Sequence, residues 1–246
     1  MDQAPFDPPP LAVFFDLDDT LCDYASARNA RLQYIFHQAL DSRGDGRVAI
    51  DLKQMIADSI QMHPHGADHF AELFVRYGID DPDHAARAAS WYRSNRFFGL
   101  ELFSDARQVL QTVRNVTSQH STVASKRVGI ITNGPVEVQR AKVELLGISD
   151  LVDFVLISEE FGIAKPHPAI FRKALDLAGV QPEHSVFVGD SAEFDMAGAR
   201  AAGLSSVWIN RHEAVWTESN WSPDRQVRSL RALPPLLCAF AEIEEW

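Results

Sequence analysis

The chain has 246 residues, 46% of them hydrophobic, and a formal net charge of −11 at pH 7. That is enough apolar content for one large domain or a domain with an insert, and the acidic balance argues against nucleic acid or an anionic membrane surface as a partner. Cys22 and Cys238 are too few for a disulfide framework, no basic segment precedes an apolar one at the N-terminus, and no apolar run can span a bilayer; the expectation is a soluble, cytoplasmic protein.

Met1 to Pro10 contains Pro5, Pro8, Pro9 and Pro10 and reads as a loose arm. Leu11 to Phe15 is an apolar run that reads as a buried strand. It leads straight into Asp16-Leu17-Asp18-Asp19-Thr20-Leu21. On an extended chain Asp16 and Asp18 lean the same way and Asp19 leans the other. Two carboxylates aimed at one point repel unless a cation or a shared proton sits between them. The bland alternative is that Asp18, Asp19 or Thr20 caps a following helix. Cys22, just beyond, reads as a wall residue.

From Tyr24 to about Phe98 the pattern is helical. Leu32, Ile35, Phe36, Ala39 and Leu40 share one face, and Ser42 to Arg47 reads as a turn. Ile50 to Met62 reads as a second helix, broken by His63-Pro64-His65-Gly66. Phe70, Leu73, Phe74 and Tyr77 mark a third, closed by Gly78. Asp81-Pro82-Asp83 opens a fourth that runs to about Arg96. His63, His65 and His69 are spaced closely enough to suggest a metal, but with no cysteine or second cluster nearby they read as a solvated loop.

Beyond Gly99 the pattern alternates. Helices are expected at Ser104 to Arg114, Glu137 to Leu146, Ile170 to Ala178 and Phe194 to Ala202, with Asn115 to Ser125 as a polar loop. Strands are expected at Lys126 to Ile131, Phe154 to Ile157, Ser185 to Val188 and Ser206 to Ile209. Such alternation means a parallel sheet with right-handed crossovers. Three polar clusters follow strands or precede a helix: Thr132-Asn133-Gly134, Lys165-Pro166-His167-Pro168, and Gly189-Asp190-Ser191 with Asp195. Open parallel sheets bind ligands beyond the carboxyl ends of their strands, so all four clusters should meet at one edge. The tail, Arg211 to Trp246, carries Trp216 and Trp221 and should pack back on the core; any helix within Leu230 to Phe240 should begin at Pro234-Pro235.

In these four clusters, in this order, the chain resembles the haloacid dehalogenase-like (HAD) hydrolase superfamily. The resemblance implies an α/β fold: a Rossmann-like, doubly wound parallel sheet, residues 1–21 and 100–246, with an all-helical cap inserted at 22–99. It implies a phosphomonoester hydrolase that uses Mg²⁺ on a small phosphorylated metabolite, a nucleotide or sugar phosphate. By the same resemblance Asp16 is the nucleophile and Asp18 the general acid and base. Asp16, the backbone carbonyl of Asp18, and Asp190 are the expected metal ligands, with Asp195 orienting them. Thr132, Asn133 and Lys165 bind the phosphoryl group. Asp18 sets the chain apart from relatives that dehalogenate acids or cleave phosphonates through a cap lysine, which lack an acid there; Lys53 is the sole lysine of the cap span. Asp19 resembles phosphatases more than sugar-phosphate mutases, which usually carry glycine. A dehalogenase, a phosphotransferase and a catalytically idle binding module on the same fold are the alternatives. The cap, including Tyr24, Arg28, Trp91 and Tyr92, is expected to choose the substrate. Oligomeric state stays open.

Overall fold

The computed structural model describes residues 4–41, 51–63, 65–79, 81–119 and 127–237, and of residues 116–119 the backbone alone. The expected turn at Ser42 to Arg47, the loop from His120 to Ser125 and the segment from Cys238 onward lie outside the described residues. The chain divides into two compact units, Met1–Asp23 with Leu102–Trp246, and Tyr24–Glu101.

The first unit is built on six parallel strands: β1 Ala12–Phe15, β2 Arg127–Thr132, β3 Phe154–Ile157, β4 Ser185–Gly189, β5 Ser205–Ile209 and β6 Arg225–Val227. Their order is β3-β2-β1-β4-β5-β6. The α/β doubly wound fold read from the sequence is therefore the fold observed. β1 is buried along its whole length with no polar alternation, as expected of a central strand covered on both faces. The chain leaves β1 to one side for β2 and later crosses to the other side for β4. This makes β1 and β4 the switch point, where a crevice opens beyond the strand ends.

The described residues also form helices. In chain order they are α1 Tyr24–Asp41, α2 Leu52–Met62, α3 Phe70–Arg76, α4 Pro82–Ser94, α5 Ala106–Gln119, α6 Val136–Leu145, α7 Ser158–Phe161, α8 Pro168–Ala178, α9 Ala197–Ala202 and α10 Pro234–Leu237. The first four belong to the second unit. On one face of the sheet Phe14, Ile131, Phe187 and Trp208 form a core with Ile170 and Phe171 of α8 and Ala199 of α9. Phe171 meets Phe187 edge-on, ring centroids 5.1 Å apart. Gly129, between Phe14 and Phe154 in the register, leaves room for the Phe154 ring to lean across it. No helix among the described residues is long and apolar enough to cross a membrane.

Four expectations need correction. Helix α5 continues to Gln119, so residues 115–119 are not loop. The turn before α9 is a single wide π-turn, Ala192–Met196, and not a uniform α-helix from Phe194. The tail adds a sixth strand, β6, paired with β5. Its sequence, Arg-Gln-Val, is too short and too polar to stand out, because it is a half-exposed edge. The proline arm is not loose over residues 4–10. The Phe6 N–H donates to the Leu236 carbonyl at 2.9 Å, the Arg225 guanidinium donates to the Ala4 carbonyl at 2.8 Å, and Leu11 N–H donates to the His184 carbonyl at 2.7 Å. Prolines remove donors, but their neighbours' carbonyls still accept. Helix α10 does begin at Pro234, and Leu230, Leu233 and Leu236 are buried as the tail folds back.

The second unit has its own core: Phe36, Met55, Phe70, Leu73, Phe74 and Tyr92 from α1 to α4. Asp51 and Asp81 cap α2 and α4 by accepting from backbone N–H groups of the first turn. The Arg31 guanidinium is buried between the Tyr24 and Tyr92 rings and donates to the Arg96 carbonyl at 2.6 Å. His69 Nε2 lies 2.7 Å from Ser59 Oγ, His63 stacks on His69, and His65 Nδ1 lies 3.3 Å from the Tyr24 hydroxyl. Among the described residues the three rings do not form a group placed to share a metal ion.

A valine at position 129 should raise strand propensity. Its Cβ would nevertheless sit 2.5 Å from Cζ of Phe154, closer than side chains tolerate. Gly129→Val is expected to destabilise the protein by about 1–3 kcal/mol, read as a lower urea midpoint with an unchanged slope. A midpoint at or above the parent value would mean that Phe154 repacks freely.

Candidate active site

Strand β1 ends at Phe15, and the Asp16 N–H still donates to the Val188 carbonyl of β4 at 2.9 Å. Asp16 is thus held between the ends of β1 and β4. The chain then turns sharply. The Leu21 and Cys22 N–H groups both donate back to the Leu17 carbonyl, and the Asp19 N–H donates to the Cys22 carbonyl at 2.7 Å. Asp19 sits at φ 62, a left-handed conformation that aspartate tolerates better than most residues. The turn aims the Asp18 side chain toward α6, and no described residue hydrogen-bonds to the Asp18 backbone carbonyl. Thr20 turns back, its hydroxyl 3.3 Å from Asp190 Oδ1.

Lys165 occupies the middle. Its Nζ donates to Asp16 Oδ1 at 2.5 Å and to Asp195 Oδ1 at 2.6 Å, with the lysine side chain 3% exposed. Asn133 holds the lysine's backbone from both sides: its Oδ1 accepts from the Lys165 N–H at 2.9 Å and its Nδ2 donates to the Lys165 carbonyl at 3.0 Å. The Asn133 side chain is therefore spent on the lysine loop, and its backbone N–H is what it has left to offer a ligand. The π-turn swings Asp195 back toward β4, where Asp195 Oδ2 accepts from the Ser191 N–H at 3.0 Å. Gly189 has to be glycine here, because a Cβ would collide with the Asp195 carboxylate.

One oxygen each of Asp16, Asp190 and Asp195 lies within 4.8 Å of the others. Burial pushes the Asp16 carboxyl well above the usual range; Lys165 opposes this, and Asp195 and Asp190 add to it. Burial, then Asp195 and Asp19, raise Asp190 to about 7 against the pull of Lys165. Burial by itself would lower Lys165, but Asp16 and Asp195 carry it above its ordinary value. Three carboxylates face one buried ammonium, so the set carries surplus negative charge, and a hard divalent cation with oxygen ligands fits it. Asp195 has both oxygens engaged, whereas no described residue donates to Asp16 Oδ2.

The seven residues singled out in the sequence, Asp16, Asp18, Thr132, Asn133, Lys165, Asp190 and Asp195, come together at the carboxyl edge of the sheet. Others join them that the sequence reading missed. Gln139 Nε2 donates to Thr132 Oγ1 at 2.5 Å, to Asp18 Oδ2 at 3.2 Å and to the Asn133 carbonyl at 3.1 Å. Lys142 Nζ donates to Asp18 Oδ1 at 2.8 Å and Oδ2 at 2.6 Å. A polar residue in the stripe Val136, Gln139, Val143, Leu146 was the available signal: helix positions three and four apart share a face, and this face is buried. Trp208 Nε1 donates to the Asp190 carbonyl at 2.7 Å. Arg211 donates to the Thr20 carbonyl at 3.2 Å, lies over the Phe103 ring and reaches within 3.7 Å of Asp105, whose other oxygen accepts from the Leu230 N–H. Cys22 is a buried free thiol, its Sγ 3.5 Å from Asp18 Oδ1; burial, then Asp18, push its pKa far above the ordinary thiol value.

The raised Asp190 carboxyl has a consequence for stability. It holds its proton in the fold up to about pH 7, but in the unfolded chain only up to about pH 3.9. Its favourable contribution is complete below about pH 3.9 and is lost as pH rises to about 7. In metal-free protein Asp190→Asn should therefore raise the melting temperature at pH 8, and much less at pH 4.5. Thermal melts in EDTA at both pH values check this; equal shifts would mean that the gain does not come from the cost of ionising Asp190 in its buried, acidic surroundings.

A sequence model of haloacid dehalogenase-like hydrolases matches residues 10–203. The chain is 31% identical over 239 residues to an N-acylneuraminate-9-phosphatase of Rattus norvegicus, covering 92% of this chain and 93% of that one. It is 32% identical over 206 residues to a glyceraldehyde 3-phosphate phosphatase of Methanopyrus kandleri, covering 81% and 84%. Among solved structures, the magnesium-bound putative HAD-hydrolase YfnB of Bacillus subtilis superposes with a TM-score of 0.71 at 20% identity, covering 92% of this chain and 97% of that one, a likeness of fold. With the carboxylate and lysine clusters at the ends of β1 and β4 and this match over most of its length, the chain belongs to the haloacid dehalogenase-like hydrolase family.

Proposed function

We propose that the protein is a magnesium-dependent phosphomonoester hydrolase that works through an aspartyl-phosphate on Asp16. The observation that carries this reading is the Asp16 carboxylate at the end of β1, one oxygen fixed by Lys165 at 2.5 Å and the other accepting from no described residue. Asp16 Oδ2 attacks phosphorus, and the bond from phosphorus to the leaving oxygen breaks. Asp18 gives its proton to that oxygen, and the alcohol departs. The Asp18 carboxylate then takes a proton from water. The resulting hydroxide attacks the aspartyl-phosphate, releasing inorganic phosphate and restoring Asp16.

Thr132 accepts from Gln139, so its own hydroxyl hydrogen remains for a phosphoryl oxygen, and the Asn133 backbone N–H supplies another donor. Lys165 adds positive charge where negative charge builds up. Mg²⁺ would be held by Asp16, the Asp18 backbone carbonyl and Asp190, where it would offset the charge of the carboxylates and the phosphoryl oxygens. Asp195, engaged with Lys165 and Ser191, orients this set. The names of the two phosphatase relatives support a phosphorylated sugar or similar small metabolite as substrate. Residues 22–99 serve as a cap in this reading, with the rest of the chain as the core.

Asp16→Asn is expected to lower phosphate release by about 10⁴-fold or more, with the far-UV circular dichroism unchanged. Substantial turnover by this variant in Mg²⁺ would remove Asp16 as the nucleophile. EDTA should silence the parent protein, and added Mg²⁺ should restore it. No halide should be released from 2-chloropropionate, because dehalogenation has no use for the proton that Asp18 carries; halide release at a rate matching phosphate release would favour a dehalogenase instead.

A further inference from the structure

Helix α6 reaches the reacting groups with two side chains that no part of the family resemblance assigned. Gln139 and Lys142 lie three residues apart, on one helix face. Both are buried, and the Lys142 side chain is 5% exposed. A lysine is rarely so enclosed without a partner, and here Asp18 is one. Both carboxylate oxygens are within 2.8 Å of one ammonium, and the Gln139 amide reaches Asp18 Oδ2 as well. Cys22 Sγ lies 3.5 Å from Asp18 Oδ1. Asp18 thus approaches the edge of the sheet on a turn that leaves its side chain 25% exposed, and α6 fixes its direction.

We propose that Lys142, assisted by Gln139, is a positioning residue that holds the Asp18 carboxyl at the angle needed to pass its proton to the leaving oxygen. The inference rests on the phosphatase reading above. The argument is geometric. A carboxyl on a tight turn has freedom about two side-chain torsions. Proton transfer requires the donor oxygen within hydrogen-bond reach of the leaving oxygen. A bidentate contact to a buried ammonium removes that freedom, and the buried lysine cannot swing away into water. The same Gln139 nitrogen also ties Thr132 and the Asn133 carbonyl to this arrangement, so one helix face aligns the proton donor with the phosphoryl donors. Lys142 takes no part in bond making; it acts through Asp18.

This role predicts a dependence on the leaving group. An aryl phosphate such as 4-nitrophenyl phosphate expels its oxygen with little help, whereas an alkyl phosphate such as glycerol 3-phosphate needs the proton. Lys142→Met should lower kcat/KM for the alkyl ester by about 100-fold and for the aryl ester by about tenfold or less. Hydrolysis of the aryl-derived aspartyl-phosphate also needs Asp18, so the variant should show a burst of nitrophenolate. Lys142→Arg should recover most of the alkyl activity. Gln139→Met, a milder change, should shift the same ratio in the same direction. In an Asp18→Asn background, Lys142→Met should add about twofold or less. Melting curves check that each variant is folded; if Lys142→Met is not, the Gln139→Met and Lys142→Arg ratios decide. Equal losses on both esters, a change in KM alone, or full additivity with Asp18→Asn would overturn the proposal. If the parent releases phosphate from neither ester nor from a panel of phosphorylated metabolites in Mg²⁺, the phosphatase reading itself fails.

Discussion

The Lys165 ammonium between Asp16 and Asp195 is the interaction on which the rest of the site depends. Three carboxylates gathered within 4.8 Å would repel one another without it. Removing one member of a buried ion pair costs on the order of 3–5 kcal/mol, because the remaining charge loses its partner without regaining water. Much of the surrounding architecture fixes that one nitrogen. Asn133 grips the lysine backbone from the end of β2, the π-turn delivers Asp195 from the end of β4, and Gly189 is bare so that Asp195 can lie against it. Three strand ends and one loop are thus locked together through a single lysine, two by its ammonium and one by its backbone.

That charge does not neutralise the set. Asp190 stays half-buried near three other acidic groups, and its proton affinity rises accordingly. Natural sites that tolerate such a surplus are usually functional ones, where the missing charge arrives with a ligand. The geometry gives the two carboxylates of the first turn different environments. Asp16 faces the acidic cluster and Lys165, whereas Asp18 faces Lys142 and Gln139. Two chemically identical side chains two residues apart thus sit in different electrostatic surroundings, as the proposed division between an attacking group and a proton carrier requires.

Most of the sheet was legible in the sequence, because buried parallel strands are continuous apolar runs and each ends in residues that do not belong in a core. Phe14-Phe15-Asp16 and Phe187-Val188-Gly189-Asp190 carry that signature. β6 does not, since an edge strand of three residues with one buried side chain has no periodicity to read. The anchoring of the proline arm was illegible for a different reason: the Arg225 guanidinium donates to the Ala4 carbonyl and the Phe6 N–H donates to the Leu236 carbonyl, both across more than two hundred residues, and no local pattern encodes them. Gln139 and Lys142 fell between these cases. A glutamine and a lysine on a helix ordinarily face water; only the place of Gln139 in an apolar stripe hinted otherwise, and Lys142, three residues on, shares its face.

Part of the frame behind the acidic turns lies beyond the span of the family match. The family match ends at residue 203, before β5 and the tail begin. Yet Trp208 donates to the carbonyl of Asp190, and Arg211 ties the Thr20 carbonyl to Asp105 and so to Leu230. Residues 204–237 are therefore a buttress for the acidic turns and not an appendage. Because Trp208 and Arg211 hold backbone carbonyls of the acidic turns and not their carboxyl groups, a change at either would alter how firmly those turns are held without altering which side chains they present.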